Sequence, residues 1–239
     1  DHLATYSTDI TDKLEMLAHK ADEAARLAKT DLLTDMVGEF PELQGTMGCY
    51  YARFEGLREG VALAIEDHYK PRFAGDSLPR NNTGTVLAIA DKLETLIGMF
   101  GIGNTPTGDK DPFGLRRHAL GVIRLIIENQ LPFNVPLLIK EAQSVFGNLL
   151  TQTETAHTAL ITFIYERLAG LLREQGYTAQ EVDAVISRQP AQLAQIPAKL
   201  AAVRHFSQME EAQALAAANK RISNILKKAE QVGDTVEPS

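Results

Sequence analysis

An all-α architecture is predicted by three observations on the sequence. Apolar residues recur at helical spacing through nearly the whole chain, no stretch reads as a convincing sheet, and the breaks fall on glycine, proline and capping residues. Taken in order, helices are expected from Asp12 to Val37, from Pro41 to Arg53 and from Gly56 to Tyr69. The next runs from Thr85 to Met99, with Val86, Leu87, Ile89, Leu93, Leu96 and Ile97; another runs from Phe113 to Ile127, with Leu120, Val122, Ile123, Leu125, Ile126 and Ile127. Both are apolar nearly all round and are predicted to be the central, buried pair. Asp111-Pro112 is expected to start the second of them, a carboxylate N-cap followed by a proline whose missing N–H costs nothing in the first turn. A helix from Val135 to Phe146 follows. After Thr151, residues Ala156, Ala159, Leu160, Phe163, Ile164, Leu168, Leu171 and Leu172 share one face, and Gly176 is expected to end that helix in the left-handed conformation. Thr178 then caps a short helix, Gln189 to Ala202 and Met209 to Val232 supply two more, and the tail beyond Gly233 is expected to be disordered.

Composition narrows the class. The 239 residues are 44% hydrophobic and 23% charged, close to a globular average, and suffice for one large helical domain with appended elements, divided at 1–150, 151–208 and 209–239. A net charge of -7 argues against a general nucleic-acid coat and against DNA as a partner, while leaving room for a local basic patch. The single cysteine, Cys49, cannot form an internal disulfide and reads as a small packed residue; it points to a reducing compartment, so a cytoplasmic location is expected. Neither a membrane span nor an export leader is expected, because no long apolar run exists and Asp1 to Thr5 has no basic or apolar character. The missing initiator Met, and an apolar helix close to the end, predict a piece of something longer.

Three constellations could carry chemistry. Asp35 and Asp91 each sit in an apolar helical context, where a carboxylate is costly unless paired or ligated. Their layout resembles the HD phosphohydrolase superfamily, whose helical bundle binds metal through a first His, a His-Asp pair and a later Asp. Thr34 stands in place of the histidine of the pair, and His19 lies closer to it than that pattern asks, so no metal site is expected and Asp35 and Asp91 read as remnants. The bland reading is helix caps and ion pairs with neighbours such as Lys92. Second, Thr107 to Arg117 brings Lys110, Arg116 and Arg117 to the first turns of a buried helix, a phosphate-binding arrangement without Walker spacing. Neutralisation of Asp109 and Asp111 by the two arginines explains the same residues equally well. Third, Lys220-Arg221 and Lys227-Lys228 flank Ile222, Ile225 and Leu226 in a basic amphipathic segment that needs a partner surface, unless it is simply a solvated face. The histidines His68, His118, His157 and His205 are scattered without paired ligand spacing.

Four segments together resemble the beta subunits of bacterial heterotetrameric glycyl-tRNA synthetase: Asp31 to Gly45, His68-Tyr69-Lys70-Pro71, Ala90-Asp91-Lys92-Leu93 and Pro106 to Arg117. Ala218 to Ile225 resembles the opening of that subunit's anticodon-binding region. The resemblance implies a degenerate HD-like bundle over 1–150, a helical linker over 151–208 and the start of the anticodon-binding region over 209–239. It also implies partners, the alpha subunit and tRNA(Gly), and a supporting role in ATP-dependent attachment of glycine to tRNA within an α2β2 class II enzyme. ATP and Mg²⁺ would belong to the alpha subunit, leaving no cofactor, and no catalytic residue, in this chain. Carried over residue by residue, Lys110, Arg116 and Arg117 would contact the tRNA backbone, with Lys220 and Arg221 as further contacts. His118 and Cys49 depart from the family's usual residues at their positions. The competing readings are an HD-type metal phosphohydrolase using Asp35 and Asp91, and a purely structural helical scaffold.

Overall fold

The computed structural model describes residues 2–150 and 153–232 and is all-α, with helices α1 (His2–Leu27), α2 (Asp35–Glu39), α3 (Thr46–Phe54), α4 (Glu59–Asp67), α5 (Asn82–Gly101), α6 (Leu115–Glu128), α7 (Val135–Ser144), α8 (Thr153–Glu174), α9 (Ala179–Ile186), α10 (Ile196–Ser207) and α11 (Glu210–Val232). Among the described residues, extended pairing is limited to two isolated bridges, Thr107 with Lys110 and Asn134 with Gln192. No helix there is long and apolar enough to cross a membrane. The tail beyond Gly233 lies outside the described residues.

Helix α5 is the hub, packing against α1, α4, α6, α7 and α8. Its inward residues Leu93, Leu96 and Ile97 meet Val122, Ile123 and Ile126 of α6 and the Leu160, Ile164 and Leu168 face of α8. This core extends through Val182, Leu193 and Leu200, so it runs without a break across residue 150. A fully buried Leu or Ile is worth about 1.5–3 kcal/mol, which makes this shared core the main tie between the two halves. A smaller cluster joins Ala24, Cys49, Val61, Ile65 and Leu87 beneath α1, α3 and α4. The central pair is less enclosed than the sequence pattern suggests: Val86 is exposed and Leu120 and Ile127 are only partly covered.

Several boundaries shift for identifiable reasons. The helix expected from Asp12 to Val37 ends at Leu27, because Asp31 is drawn inward: one of its carboxylate oxygens accepts from the amides of Gly45 (2.6 Å) and Gly48 (3.1 Å), capping α3 from fourteen residues or more away. Thr34 then starts α2, its hydroxyl accepting from the Val37 amide and donating to the Asp31 carbonyl. Pro41–Leu43 forms a 3-10 turn rather than the start of α3. Helix α6 begins at Leu115, after Pro112, because Gly114 adopts φ 64° and turns the chain; Asp111 still caps, accepting from the amides of Leu115 (2.8 Å) and Arg116 (2.9 Å). In the stretch expected to be helical from Gln189, a turn with Gln189 at φ 42° and a 3-10 segment delay α10 to Ile196. Thr178 caps α9 as expected, with Glu181 completing a reciprocal capping box.

Candidate functional site

The site is built around the charged dipeptide Asp91-Lys92 in the middle of the largely apolar α5. Lys92 is 3% exposed, and its ammonium donates to three successive carbonyls at the end of α4, those of His68 (3.0 Å), Tyr69 (3.3 Å) and Lys70 (3.0 Å). These carbonyls belong to the cap and the first residues past α4, where the chain leaves the helix, and the buried cation satisfies all three. Gly121 of α6 makes room: a Cβ there would stand 2.7 Å from the Lys92 stem. Burial pushes the Lys92 ammonium down to about 8, with Asp91 opposing. The sequence reading of Lys92 as an ion-pair partner of a carboxylate is therefore corrected. Asp91 pairs instead with Lys29, just past α1, at 2.6 Å.

The α4 end carries a second buried network. Asp67 is wholly buried and accepts from the Arg80 backbone amide (2.8 Å), Arg80 Nε (2.8 Å), Arg80 Nη2 (2.9 Å) and Lys70 Nζ (3.0 Å). Burial works to raise its pKa, but the Arg80 bonds prevail and hold it below the usual carboxylate range. His68 beside it is also wholly buried; its Nδ1 lies 2.7 Å from the Ile65 carbonyl, which only accepts, so Nδ1 carries the proton. Burial pushes His68 below its ordinary 6.5, so the ring is neutral and Nε2 offers a lone pair that meets no donor.

Three further solvent-shielded atoms in the surroundings of Tyr69 lack partners: the second oxygen of Asp31, the Tyr69 hydroxyl and His118 Nδ1. Burial, then Asp31 and Asp91, pushes the Tyr69 phenol up to about 12, while burial and the neighbouring Lys92 push His118 down. Each unsatisfied atom costs about 1–3 kcal/mol, and His68, Tyr69 and His118 all lie within electrostatic reach of Asp91, which marks this region as the candidate site. Above them opens a pocket of about 270 Å³ lined by Gln44, Tyr69, Arg72, Asp91, Arg117 and His118, with Pro71 and Lys92.

The cationic loop reaches this pocket at one point only. Arg117 lines it, and neither its guanidinium nor that of Arg72 forms an ion pair among the described residues. Arg116 donates to the Gly108 carbonyl and holds the loop, while Lys110 is exposed and bridges Thr107 through its backbone. Neutralisation of Asp109 and Asp111 by the two arginine side chains is not what the structure has: Asp111 serves backbone amides.

Residues 1–187 match the family model described as "Glycyl-tRNA synthetase beta subunit". The chain belongs to the glycyl-tRNA synthetase beta-subunit family. It is 65% identical over 225 residues to a glycine–tRNA ligase beta subunit of Leptothrix cholodnii, covering 94% of this chain and 31% of that protein. The corresponding figures are 63% over 230 residues (95% and 32%) for the beta subunit of Polaromonas naphthalenivorans, and 66% over 211 residues (88% and 29%) for that of Acidovorax sp.. The chain thus spans about a third of the length of these relatives.

Within this beta-subunit chain the residues do not fit a divalent ion. Thr34 is a helix cap, Asp35 is exposed in the first turn of α2, and Asp91 is engaged by a lysine with a second buried lysine next to it. Among the described residues no group of three or more His, Cys, Asp or Glu side chains could hold a metal ion. His19 is exposed on α1. Lys220 and Arg221 lie on the exposed face of α11 with Asn224, Ile225 and Lys228, and none of these lines the pocket at Asp91. Sequence reasoning missed His68, Asp67 with Arg80, and the burial of Lys92. The available signal was a charged or imidazole group inside an apolar run, as in Ala90-Asp91-Lys92-Leu93.

Proposed function

We propose that this chain is a tRNA-handling and assembly region of glycyl-tRNA synthetase, serving ATP-dependent glycylation of tRNA(Gly) in the cytoplasm without holding the aminoacylation site. The family membership supports the enzyme. The observation that carries the tRNA half is the pair of unpaired, exposed guanidiniums of Arg72 and Arg117 beside the exposed Lys110 loop. A guanidinium without a carboxylate partner is free to fork onto phosphate oxygens. Arg116 orders the loop from which Lys110 reaches out, and Lys220 and Arg221 form a second, separate cationic patch on α11. In this reading 1–150 is an HD-like bundle that has lost its metal ligands, 151–208 a linker and 209–239 the entry to the anticodon-binding region. ATP and Mg²⁺ act in the alpha subunit.

Support for assembly with the alpha subunit comes from an apolar groove of about 740 Å³ between α1, α5 and α7, whose lining includes Leu17, Val86, Ile89, Phe133, Val145 and Leu149. Val145 and Leu149, at its rim, are 85% and 78% exposed, so the groove continues onto open apolar surface. The test is tRNA(Gly) binding by the reconstituted α2β2 enzyme carrying Lys110→Ala with Arg117→Ala, titrated against salt. The expected result is weaker binding and a salt slope reduced by about two, one for each phosphate contact. Unchanged affinity and slope remove the tRNA assignment.

A further inference from the structure

We infer that the pocket bounded by Tyr69, Arg72, Asp91, Arg117 and His118 is a binding site for the ribose-phosphate unit of a ribonucleotide. The inference rests on the tRNA-handling reading and names its site. Charge selects an anion: Arg72 and Arg117 line the pocket without ion-pair partners, and Lys29 stands at Asp91. Lys92 adds field rather than donors, since its ammonium is already bound to three carbonyls. Asp91, however, would repel a bare phosphate. Lys29 engages its Oδ1 and leaves acceptor capacity facing the same space, so the ligand must bring hydroxyl donors alongside its negative charge.

The wall of the pocket makes the same demand. Tyr69 and His118 line it, and the Tyr69 hydroxyl, His118 Nδ1 and, behind them, Nε2 of the wholly buried His68 are solvent-shielded atoms without protein partners, which a ligand reaches as the two lining rings turn toward it. Sugar hydroxyls both donate and accept, and the 2′-hydroxyl is the group that separates ribose from deoxyribose. A volume of about 270 Å³ suits a sugar phosphate, with a base left at the rim. Arg72, whose guanidinium lies 5.9 Å over the Tyr69 ring, and Arg117 would fork onto the phosphate.

The source of the unit, a free nucleotide or a nucleotide of an RNA strand, is separated by experiment. Equilibrium dialysis of the full-length beta chain against CMP, dCMP and inorganic phosphate avoids the adenosine phosphates the complete enzyme uses. In parallel, the KM for tRNA(Gly) and its salt dependence are measured in the α2β2 enzyme, for the wild type and for Arg72→Gln, Arg117→Gln and the double variant. Both arginines are exposed, and circular dichroism checks that the variants fold. CMP is expected to bind roughly tenfold more tightly than dCMP or phosphate, and each substitution to weaken CMP roughly tenfold. A raised tRNA KM with a shallower salt slope in the double variant then assigns the pocket to an RNA strand. CMP binding lost with the tRNA KM unmoved keeps the pocket, assigns it to a free nucleotide and retires the tRNA reading of this surface. A raised tRNA KM with no CMP binding to the wild type leaves tRNA handling standing and removes the pocket. Equal affinity for CMP and dCMP removes its ribose specificity, and no CMP binding with an unmoved KM overturns the inference altogether.

Discussion

Asp67→Asn is the most direct probe of what holds the site's floor. The substitution preserves volume but replaces an acceptor-only group with one whose NH2 must face a donor. Wild-type Asp67, at 0% exposure, takes four bonds, three from Arg80 and one from Lys70. Breaking a buried charge pair costs about 3–5 kcal/mol when the stranded partner stays buried. The Arg80 side chain is 43% exposed and keeps a bond to Glu66 at 2.6 Å, so it can rehydrate and the lower end applies, about 3 kcal/mol. For a chain of this size that corresponds to a fall in Tm of about 6–12 °C. Urea unfolding followed by circular dichroism, in a double-mutant cycle with Arg80→Gln, isolates the pair. The pH dependence adds a signature. Because the folded-state pKa of Asp67 lies below its ordinary 3.8, its contribution is complete above 3.8 and is lost as pH falls through the folded value. The variant is expected to lack that component. A destabilisation under about 0.5 kcal/mol, with zero coupling to Arg80, would refute the reasoning.

Other perturbations have equally definite signs. Thr178→Ala removes one half of the capping box of α9 and is expected to cost about 1 kcal/mol in urea unfolding; stability equal to wild type would show that the Glu181–Arg204 pair (2.6 Å) alone fixes that helix start. His68 and His118 are both held below 6.5 by burial, so the unfolded chain takes up protons first and stability is lost as pH falls from 6.5 through the folded values. Each contributes a slope of at most about 1.4 kcal/mol per pH unit, and His118→Gln is expected to make the acid limb shallower; an unchanged limb would show that His118 does not titrate differently on folding.

What the sequence made legible follows from range. Helical periodicity reports burial along one helix, so the α8 face, apart from the exposed Ala159, and the Gly176 stop could be read directly, and Thr178 with Glu181 is a cap contained in four residues. The breaks that were misplaced are set from a distance. Asp31 caps a helix that begins at Thr46, a relation no local window contains, and the left-handed Gly114 displaces the start expected at Pro112. The site divides in the same way. Asp91 and Arg117 each stand out as residues, but the packing of α6 on α5 makes them neighbours, and three carbonyls of the segment just past α4 give Lys92 its place.

Lysines beside Asp91 explain why this pocket does not suit a divalent ion. A divalent ion needs carboxylates and neutral imidazoles free of competing cations. Here Lys29 occupies Asp91, Lys92 is buried within bonding reach of the α4 end, and Arg72 and Arg117 close the rim, four cations against Asp91 and the nearby Asp31. The same field that repels a metal ion attracts a phosphate, and it does so on a chain whose net charge is -7. Repulsion from the rest of the surface then makes the pocket a local exception. If, as proposed, an RNA strand docks here, it gains affinity where its backbone meets those arginines, so removal of the two guanidiniums should cost more than their share of the chain's positive charge implies.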